Sequence, residues 1–151
     1  MQTKNKKPAV VAAVMLAFCS TLFSFSMPTG GDSFTIYLNN KMVLQQYIYK
    51  DKEVKTLSLQ QSNYNDELHI SYRHCGTVGK DRTIIIKDGQ DRMLKQWHFT
   101  DTNSDMSCKV KDILDLKKGN TSLKLYYSSK ELPTGYLLAS VVVADNGKAK
   151  P

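Results

Sequence analysis

The stretch RTIIIKDGQDRMLKQWHF, residues 82–99, predicts a β-hairpin. Asp88 and Gly89 stand between two runs of β-prone residues, and such a pair is a strong short-range signal for a turn between strands. The three consecutive isoleucines before the turn, residues 84–86, indicate a strand that is buried on both faces. The hairpin therefore predicts a sheet with a covered interior strand.

The segments on either side of this hairpin carry the same β signature. Residues 33–38, SFTIYL, alternate polar and apolar side chains, which is the pattern of a half-buried strand. Asn39 and Asn40 follow, and asparagine tolerates the left-handed backbone of a tight turn. Further strands are predicted in four stretches: KMVLQQYIY (41–49), VKTLSLQ (54–60), ELHISYRHC (67–75) and YLLASVVVA (136–144).

One segment departs from the β pattern. Val110, Ile113 and Leu114 recur at helical spacing, and the basic residues before Gly119 favour a helix that ends there. We therefore expect one short helical turn near residues 110–117, followed by a strand.

Residues 110–127 resemble a segment of galactose-binding-like β-sandwich modules, in which an apolar helical turn, a Lys-Gly-Asn turn and an alternating strand follow one another. The resemblance implies a β-sandwich. No ligand-contacting motif of those modules can be placed on this chain, so the resemblance concerns fold and not sugar binding.

These patterns together predict an all-β protein. Seven to eight short strands with almost no helix are typical of a single antiparallel β-sandwich, jelly-roll or immunoglobulin-like. The predicted domain spans residues 33–145, and the 151-residue chain is long enough for one such core and too short for two.

The first 26 residues have the three-part layout of a secretory signal. Three lysines precede an apolar run over residues 9–18, and the sequence becomes small and polar toward Ser26. A membrane-crossing helix needs about 20 apolar residues, so a retained anchor is the less favoured alternative. We expect cleavage after Ser26, a flexible segment over 27–32, a polar tail over 146–151, and a secreted or periplasmic protein without a membrane span.

The charge of the chain is modest once the signal is removed. Residues 27–151 hold 18 Lys and Arg against 14 Asp and Glu, a net charge of +4. The basic residues are spread along the chain, whereas a nucleic-acid-binding surface needs them clustered on one element. We therefore expect a protein or surface-polymer partner, with carbohydrate as one candidate, and no nucleic acid.

The cysteine count predicts a disulfide. Cys19 leaves with the signal, and the remaining two, Cys75 and Cys108, form an even pair in an oxidising compartment, where paired thiols oxidise and persist. The sequence therefore predicts a Cys75–Cys108 bridge.

The pattern of histidines and cysteines favours no metal, cofactor or catalytic site. Zinc ligands usually come as close pairs from one turn, and the chain has no such pair. It also lacks the G-x-S-x-G segment of a hydrolase nucleophile. His74 shares its strand face with Ile70 and Tyr72, which predicts a hydrogen-bonded histidine at the margin of the core.

Exposed tyrosines are the remaining ligand-binding candidates. Neighbouring tyrosines on a strand direct at least one ring outward, which singles out Tyr47, Tyr49, Tyr126 and Tyr127. Three hypotheses follow: an exported non-catalytic binding or structural module of the envelope or extracellular space, a carbohydrate-binding module with a flat tyrosine patch, and a small secreted enzyme or metalloprotein using His74 and His98.

Overall fold

The computed structural model describes residues 31–101, 105–117 and 122–144, and the predicted signal 1–26 and tail 146–151 lie outside them. The described residues form one helix, α1 (Val110–Lys117), a 3-10 turn (Gln61–Asn63) and nine strands. The strands are β1 (Ser33–Leu38), β2 (Lys41–Tyr47), β3 (Lys55–Gln60), β4 (Glu67–Arg73), β5 (Arg82–Asp88), β6 (Met93–Phe99), β7 (Asp105–Lys109), β8 (Leu123–Ser128) and β9 (Tyr136–Ala144).

The strands form two packed sheets, which confirms the predicted all-β sandwich. One sheet has four strands in the order β2-β1-β4-β7, and the other has five in the order β3-β9-β8-β5-β6. The strand count exceeds the prediction because β7 was missed. Its sequence, DMSCK, offers only two apolar side chains and leads directly into α1.

The prediction of a wholly antiparallel sandwich is wrong for one pair, because β3 and β9 run parallel. Short hairpin turns force sequence neighbours to be antiparallel, but they set no direction for strands that are distant in the chain. The 75 residues between the end of β3 and the start of β9 leave that direction open.

The core lies between the inner faces of the two sheets, where the predicted alternation holds. The buried apolar residues include Phe34, Ile36, Leu44, Leu57, Leu59, Leu68, Ile70, Tyr72, Ile84, Ile86, Met106, Leu123, Leu125, Tyr127 and Val141. Of the three consecutive isoleucines, the middle one is only half-buried on the outer face of the five-stranded sheet. The helix α1 adds Val110, Ile113 and Leu114 to the same core, as its spacing predicted.

The turn of the β5–β6 hairpin lies at the predicted position, but its backbone conformation is not that of a two-residue Asp-Gly turn. The Asp88 carboxylate accepts hydrogen bonds from the backbone N–H groups of Gln90 (2.9 Å) and Arg92 (3.0 Å). The left-handed position is Asp91, at φ 61°, and not Gly89. The turn is therefore longer than a two-residue one and is held by an aspartate side chain.

No helix among the described residues has the length and apolar character needed to cross a membrane.

Candidate functional site

The outer face of the four-stranded sheet presents a row of accessible side chains. Alternation along β1 directs Phe34 and Ile36 into the core and Tyr37 outward, where the ring is 36% exposed. Tyr37 pairs with His69 of β4 and with Met42 of β2. Polar side chains occupy the middle of this face: Thr35, Gln45 and Ser71 lie across from one another on β1, β2 and β4.

A second tyrosine lies at the far end of the same face. Tyr47 is 49% exposed and pairs with Ser33, four residues from Tyr37 along β1. At about 3.3 Å per residue, the two rings lie about 13 Å apart along the strand direction. The face therefore carries an aromatic ring near each end and polar groups between them.

A depression of about 340 Å³ opens beside Tyr37. Its lining combines one aromatic ring, two side-chain amides, an imidazole and a carboxylate: Tyr37, Asn39, Asn40, His69 and Asp105. This volume falls at the lower end of the range for small-molecule sites, about 300–1,000 Å³. An exposed ring beside several hydrogen-bonding groups suits a ligand that has both C–H surfaces and hydroxyl groups.

Asn39 fixes the rim of this depression. Its backbone has φ 53°, the left-handed conformation that asparagine tolerates. Its side-chain amide donates to Asp66 Oδ1 at 3.0 Å, and its side-chain oxygen accepts the backbone N–H of Glu67 at 3.0 Å. The β1–β2 turn is thereby held against the start of β4.

A second depression, of about 330 Å³, contains Asp66, the hydrogen-bonding partner of Asn39. It is lined by Tyr64, Asn65, Asp66, Glu67, Lys109 and Lys111. The hydrogen bond from Asn39, followed by the one from Asn63, lowers the pKa of Asp66 below its ordinary value, so this carboxylate is ionised at neutral pH. The bond between Asn39 and Asp66 forms the wall between the two depressions.

The four tyrosines predicted as ligand contacts do not form one patch. Tyr47 and Tyr49 are exposed and flank Lys50, whose Nζ lies 6.0 Å and 5.3 Å from their ring centroids. Tyr126 is half-buried on the other sheet, with Lys87 Nζ 4.4 Å from its ring centroid. Tyr127 is wrongly predicted, because it is in phase with Leu123 and Leu125 and is fully buried.

Sequence reasoning missed the residues that line the first depression. Tyr37 and His69 were predictable as outward-facing, since they alternate with buried neighbours on β1 and β4. The contribution of Asp105 was not predictable, because it depends on β7 pairing beside β4.

His74 lies in a partly buried polar cluster that joins the two sheets, the sheet-bridging cluster, made of Asp32, Tyr72, His74, Tyr127 and Ser129. Asp32 Oδ2 accepts the Tyr72 hydroxyl at 2.9 Å and lies 3.1 Å from His74 Nδ1. The other ring nitrogen, Nε2, lies 3.1 Å from both the Tyr127 hydroxyl and Ser129 Oγ. The prediction of a hydrogen-bonded histidine at the core margin agrees with this geometry.

Aromatic stacking accompanies these hydrogen bonds. The Tyr72 and Tyr127 rings stack across the sandwich with centroids 4.1 Å apart. Burial raises the pKa of Tyr72, and the hydrogen bond to Asp32 raises it further. Asp32 belongs to the segment 27–32 that the sequence assigned as flexible, and its carboxylate instead joins this cluster.

The Asp32, His74 and Ser129 side chains are connected in the order of a hydrolytic triad. Such a triad also needs an accessible serine and donors for the developing oxyanion. Ser129 is only 5% exposed, and its Oγ accepts the backbone N–H of Leu132 at 3.2 Å. Gly79 covers the imidazole, since a Cβ at that position would lie 2.8 Å from His74 Nε2. These contacts favour a structural role that ties the sheets together.

The predicted Cys75–Cys108 bridge is wrong for this fold, because both thiols are free. Cys108 pairs with Leu68 near the start of β4, whereas Cys75 lies beyond the end of that strand. The seven residues from Leu68 to Cys75 span about 23 Å at about 3.3 Å each. A disulfide needs Cα atoms within about 7 Å.

The two histidines of the enzyme hypothesis do not converge. His98 is exposed on the outer face of the five-stranded sheet, where its Nδ1 lies 3.0 Å from Thr83 Oγ1. His74 contacts Tyr127 from the inner side of that sheet. Within residues 31–101, 105–117 and 122–144, no three His, Cys, Asp or Glu side chains are grouped to hold a metal ion.

No family model, curated protein or solved structure matches this chain. The resemblance of residues 110–127 to galactose-binding-like modules therefore stays a prediction. The outer face of the four-stranded sheet is interpreted from its own geometry.

Proposed function

We propose that this chain is an exported, non-catalytic β-sandwich module that binds a polysaccharide of the cell envelope or its surroundings. The ligand lies on the outer face of the four-stranded sheet. The observation that supports this function is the depression beside Tyr37, where an exposed ring adjoins the side chains of Asn40, His69 and Asp105.

Sugar rings present both apolar C–H surfaces and hydroxyl groups, and this depression offers partners for both. The Tyr37 ring supplies an apolar surface, and the amide and carboxylate groups around it donate to and accept from hydroxyls. Among the described residues, the side chains of Asn40 and Asp105 have no hydrogen-bond partner in the protein, so they are available to a ligand.

The length of the face supports a polymer as the ligand. Tyr37 and Tyr47 are about 13 Å apart along the strands, and the polar side chains of Thr35, Gln45 and Ser71 lie between them. A chain of several sugars can contact both rings, whereas a single sugar can contact only one.

Binding to a panel of polysaccharides tests this function. The chain beginning at Met27 should be retained by at least one polymer in affinity electrophoresis. Tyr37→Ala should weaken that binding at least about tenfold, since truncating an aromatic residue that carries much of the binding energy costs more than about 1.4 kcal/mol. The matched control is Tyr126→Ala, which removes a half-buried ring from the outer face of the other sheet and should bind normally.

Two results would contradict the proposal. One is a Tyr37→Ala protein that is folded and binds as well as the unmodified chain. The other is an absence of binding to every polysaccharide together with tight capture of a protein partner, which would assign the same face to protein recognition.

The exported location belongs to the same proposal and rests on the basic, apolar and small-residue order of the first 26 residues. N-terminal sequencing of the protein isolated from outside the cytoplasm should begin at or near Met27. Exported protein that retained residues 1–26 would show that the segment is a retained anchor.

A further inference from the structure

We propose that the polysaccharide is acidic, and that the second depression binds its anionic groups through Lys109 and Lys111. This inference rests on the proposed function and specifies its ligand class. The first depression then holds an uncharged part of the sugar chain, and the second holds a carboxylate or sulfate carried by a neighbouring sugar.

The two depressions lie on either side of the hydrogen bond between Asn39 and Asp66. Asn39 lines the first depression and Asp66 lines the second, and their side chains are hydrogen-bonded at 3.0 Å. Asp105 and Lys109 both face outward on β7, four residues apart, a separation of about 13 Å. A linear sugar chain that occupies the first depression and follows β7 therefore reaches the second.

The acidic side chains of the second depression already have hydrogen-bonding partners. Asp66 accepts the amides of Asn39 and Asn63 at 3.0 and 2.9 Å. Glu67 Oε2 accepts the Ser107 hydroxyl at 3.1 Å and lies 3.8 Å from His69 Nε2. Both carboxylates thus have hydrogen-bonding or histidine partners, and neither forms an ion pair with a described lysine, although Glu67 is the cross-strand partner of Lys109.

The basic side chains of the same depression have no such partners. Lys109 and Lys111 are exposed, and neither forms an ion pair with any described acidic residue. Lys111 Nζ lies 5.7 Å from the centroid of the Tyr64 ring, which holds the ammonium group over the depression. By contrast Lys95, close to the same helix, is paired with Asp112 at 2.8 Å.

The two depressions therefore differ in the charge of their unpaired side chains. Asp105 has no cationic partner among the described residues, so the first depression favours neutral sugar hydroxyls and repels a carboxylate. Lys109, about 13 Å further along β7, and Lys111, in the first turn of α1, attract one. A polymer in which charged and uncharged groups alternate meets both conditions.

The experiment compares binding to hyaluronate, whose carboxylate-bearing sugars alternate with uncharged ones, to keratan sulfate, which carries sulfate and no carboxylate, and to neutral dextran, at two salt concentrations. We expect binding to at least one acidic polymer that weakens as salt rises, because exposed charge pairs are screened. Lys109→Gln and Lys111→Gln should each weaken it up to about fivefold, and should leave any binding to dextran unchanged. Binding of only one acidic polymer would identify the anionic group as carboxylate or as sulfate.

The control variants are Lys52→Gln and Lys130→Gln, which remove the same charge from exposed positions outside both depressions. An equal loss of binding in these controls would show non-specific charge attraction and overturn the inference. So would binding to dextran alone, with unchanged affinity in both lysine variants and a loss in Tyr37→Ala. That last result would leave the proposed function intact.

Discussion

Cys75 lies in a tight turn at the end of β4 and carries an exposed thiol. His74 and Thr77 exchange backbone hydrogen bonds at 2.8 and 2.9 Å, and the two residues between them, Cys75 and Gly76, both have positive φ. A two-residue hairpin turn of this kind requires positive φ at both central positions. The turn leaves the cysteine side chain exposed, with its Sγ 3.9 Å from Asp32 Oδ1.

The two thiols should therefore react very differently. Burial, followed by the nearby Asp112 carboxylate, raises the pKa of Cys108 to about 12, and its side chain is 1% exposed. In the chain beginning at Met27, iodoacetamide should modify Cys75 in the native protein and Cys108 only after unfolding. Mass spectrometry counts the labels. If the native, unreduced protein had no reactive thiol, the predicted Cys75–Cys108 disulfide would be supported instead.

His74 makes hydrogen bonds through both ring nitrogens in the sheet-bridging cluster, so replacing it should destabilise the fold. His74→Gln should lower the free energy of unfolding by about 1–3 kcal/mol, because a buried partner is left without its hydrogen bond. Polysaccharide binding should not change. The matched control is His98→Gln, which alters an exposed imidazole with one hydrogen bond, to Thr83.

Denaturant titration of both variants measures this difference. If His74→Gln unfolded at the same denaturant concentration as the unmodified chain and lost binding, His74 would be a ligand contact and not a structural residue.

The β1–β2 turn is the element that shapes the candidate site. Asn39→Ala removes two side-chain hydrogen bonds and places alanine at φ 53°, so it should cost about 1–3 kcal/mol of stability. Asn40→Ala is the control, because the neighbouring amide has no hydrogen-bond partner among the described residues. Thermal unfolding compares the two.

Asn39→Gly separates the two effects of that substitution. Glycine adopts the left-handed backbone freely, so it should recover the conformational part of the loss and none of the hydrogen-bonding part. Equal stability of Asn39→Gly and the unmodified chain would show that the bonds to Asp66 and Glu67 contribute nothing.

At the scale of the whole molecule, the ionised carboxylates predict acid sensitivity. The Asn39 amide lowers the pKa of Asp66, and the backbone N–H of Lys80 lowers that of Glu131. A carboxyl group with a lower pKa in the folded chain stabilises the fold above its unfolded pKa. That contribution is lost as the pH falls through the folded pKa.

The melting temperature should therefore change little from pH 7 to about 5 and fall below about pH 4, where ordinary carboxyl groups become protonated. Asp66→Asn should melt lower than the unmodified chain at pH 7 and show a smaller decrease in acid. A melting temperature that rose on acidification to pH 3 would contradict the assigned direction of these pKa shifts.

The sequence predicts the local elements of this molecule better than their assembly. Alternation placed Phe34, Ile36 and Ile70 in the core, and helical spacing placed Val110 and Ile113 there, because burial of each element depends on its own periodicity. The parallel β3–β9 pair and the positions of the two cysteines depend on which distant strands meet. Sequence periodicity contains no information about that.

The candidate site was likewise predictable in its local features and not in the way distant residues meet. Tyr37 and His69 could be recognised as outward-facing from their strands alone. Their proximity to Asp105 and to the lysines beyond it depends on the pairing of β4 with β7. The contact of Asp32 with His74 likewise joins residues 42 positions apart, which adjacent-residue patterns cannot reveal.

An amide NMR titration of the chain beginning at Met27, with oligosaccharides of an acidic polymer that it binds, locates the binding surface directly. We predict that the shifted signals belong to the outer face of the four-stranded sheet, from Tyr37 and His69 to Lys109, with Tyr126 and His98 unaffected. Shifts centred on the five-stranded sheet, or on the turn that holds Cys75, would contradict it.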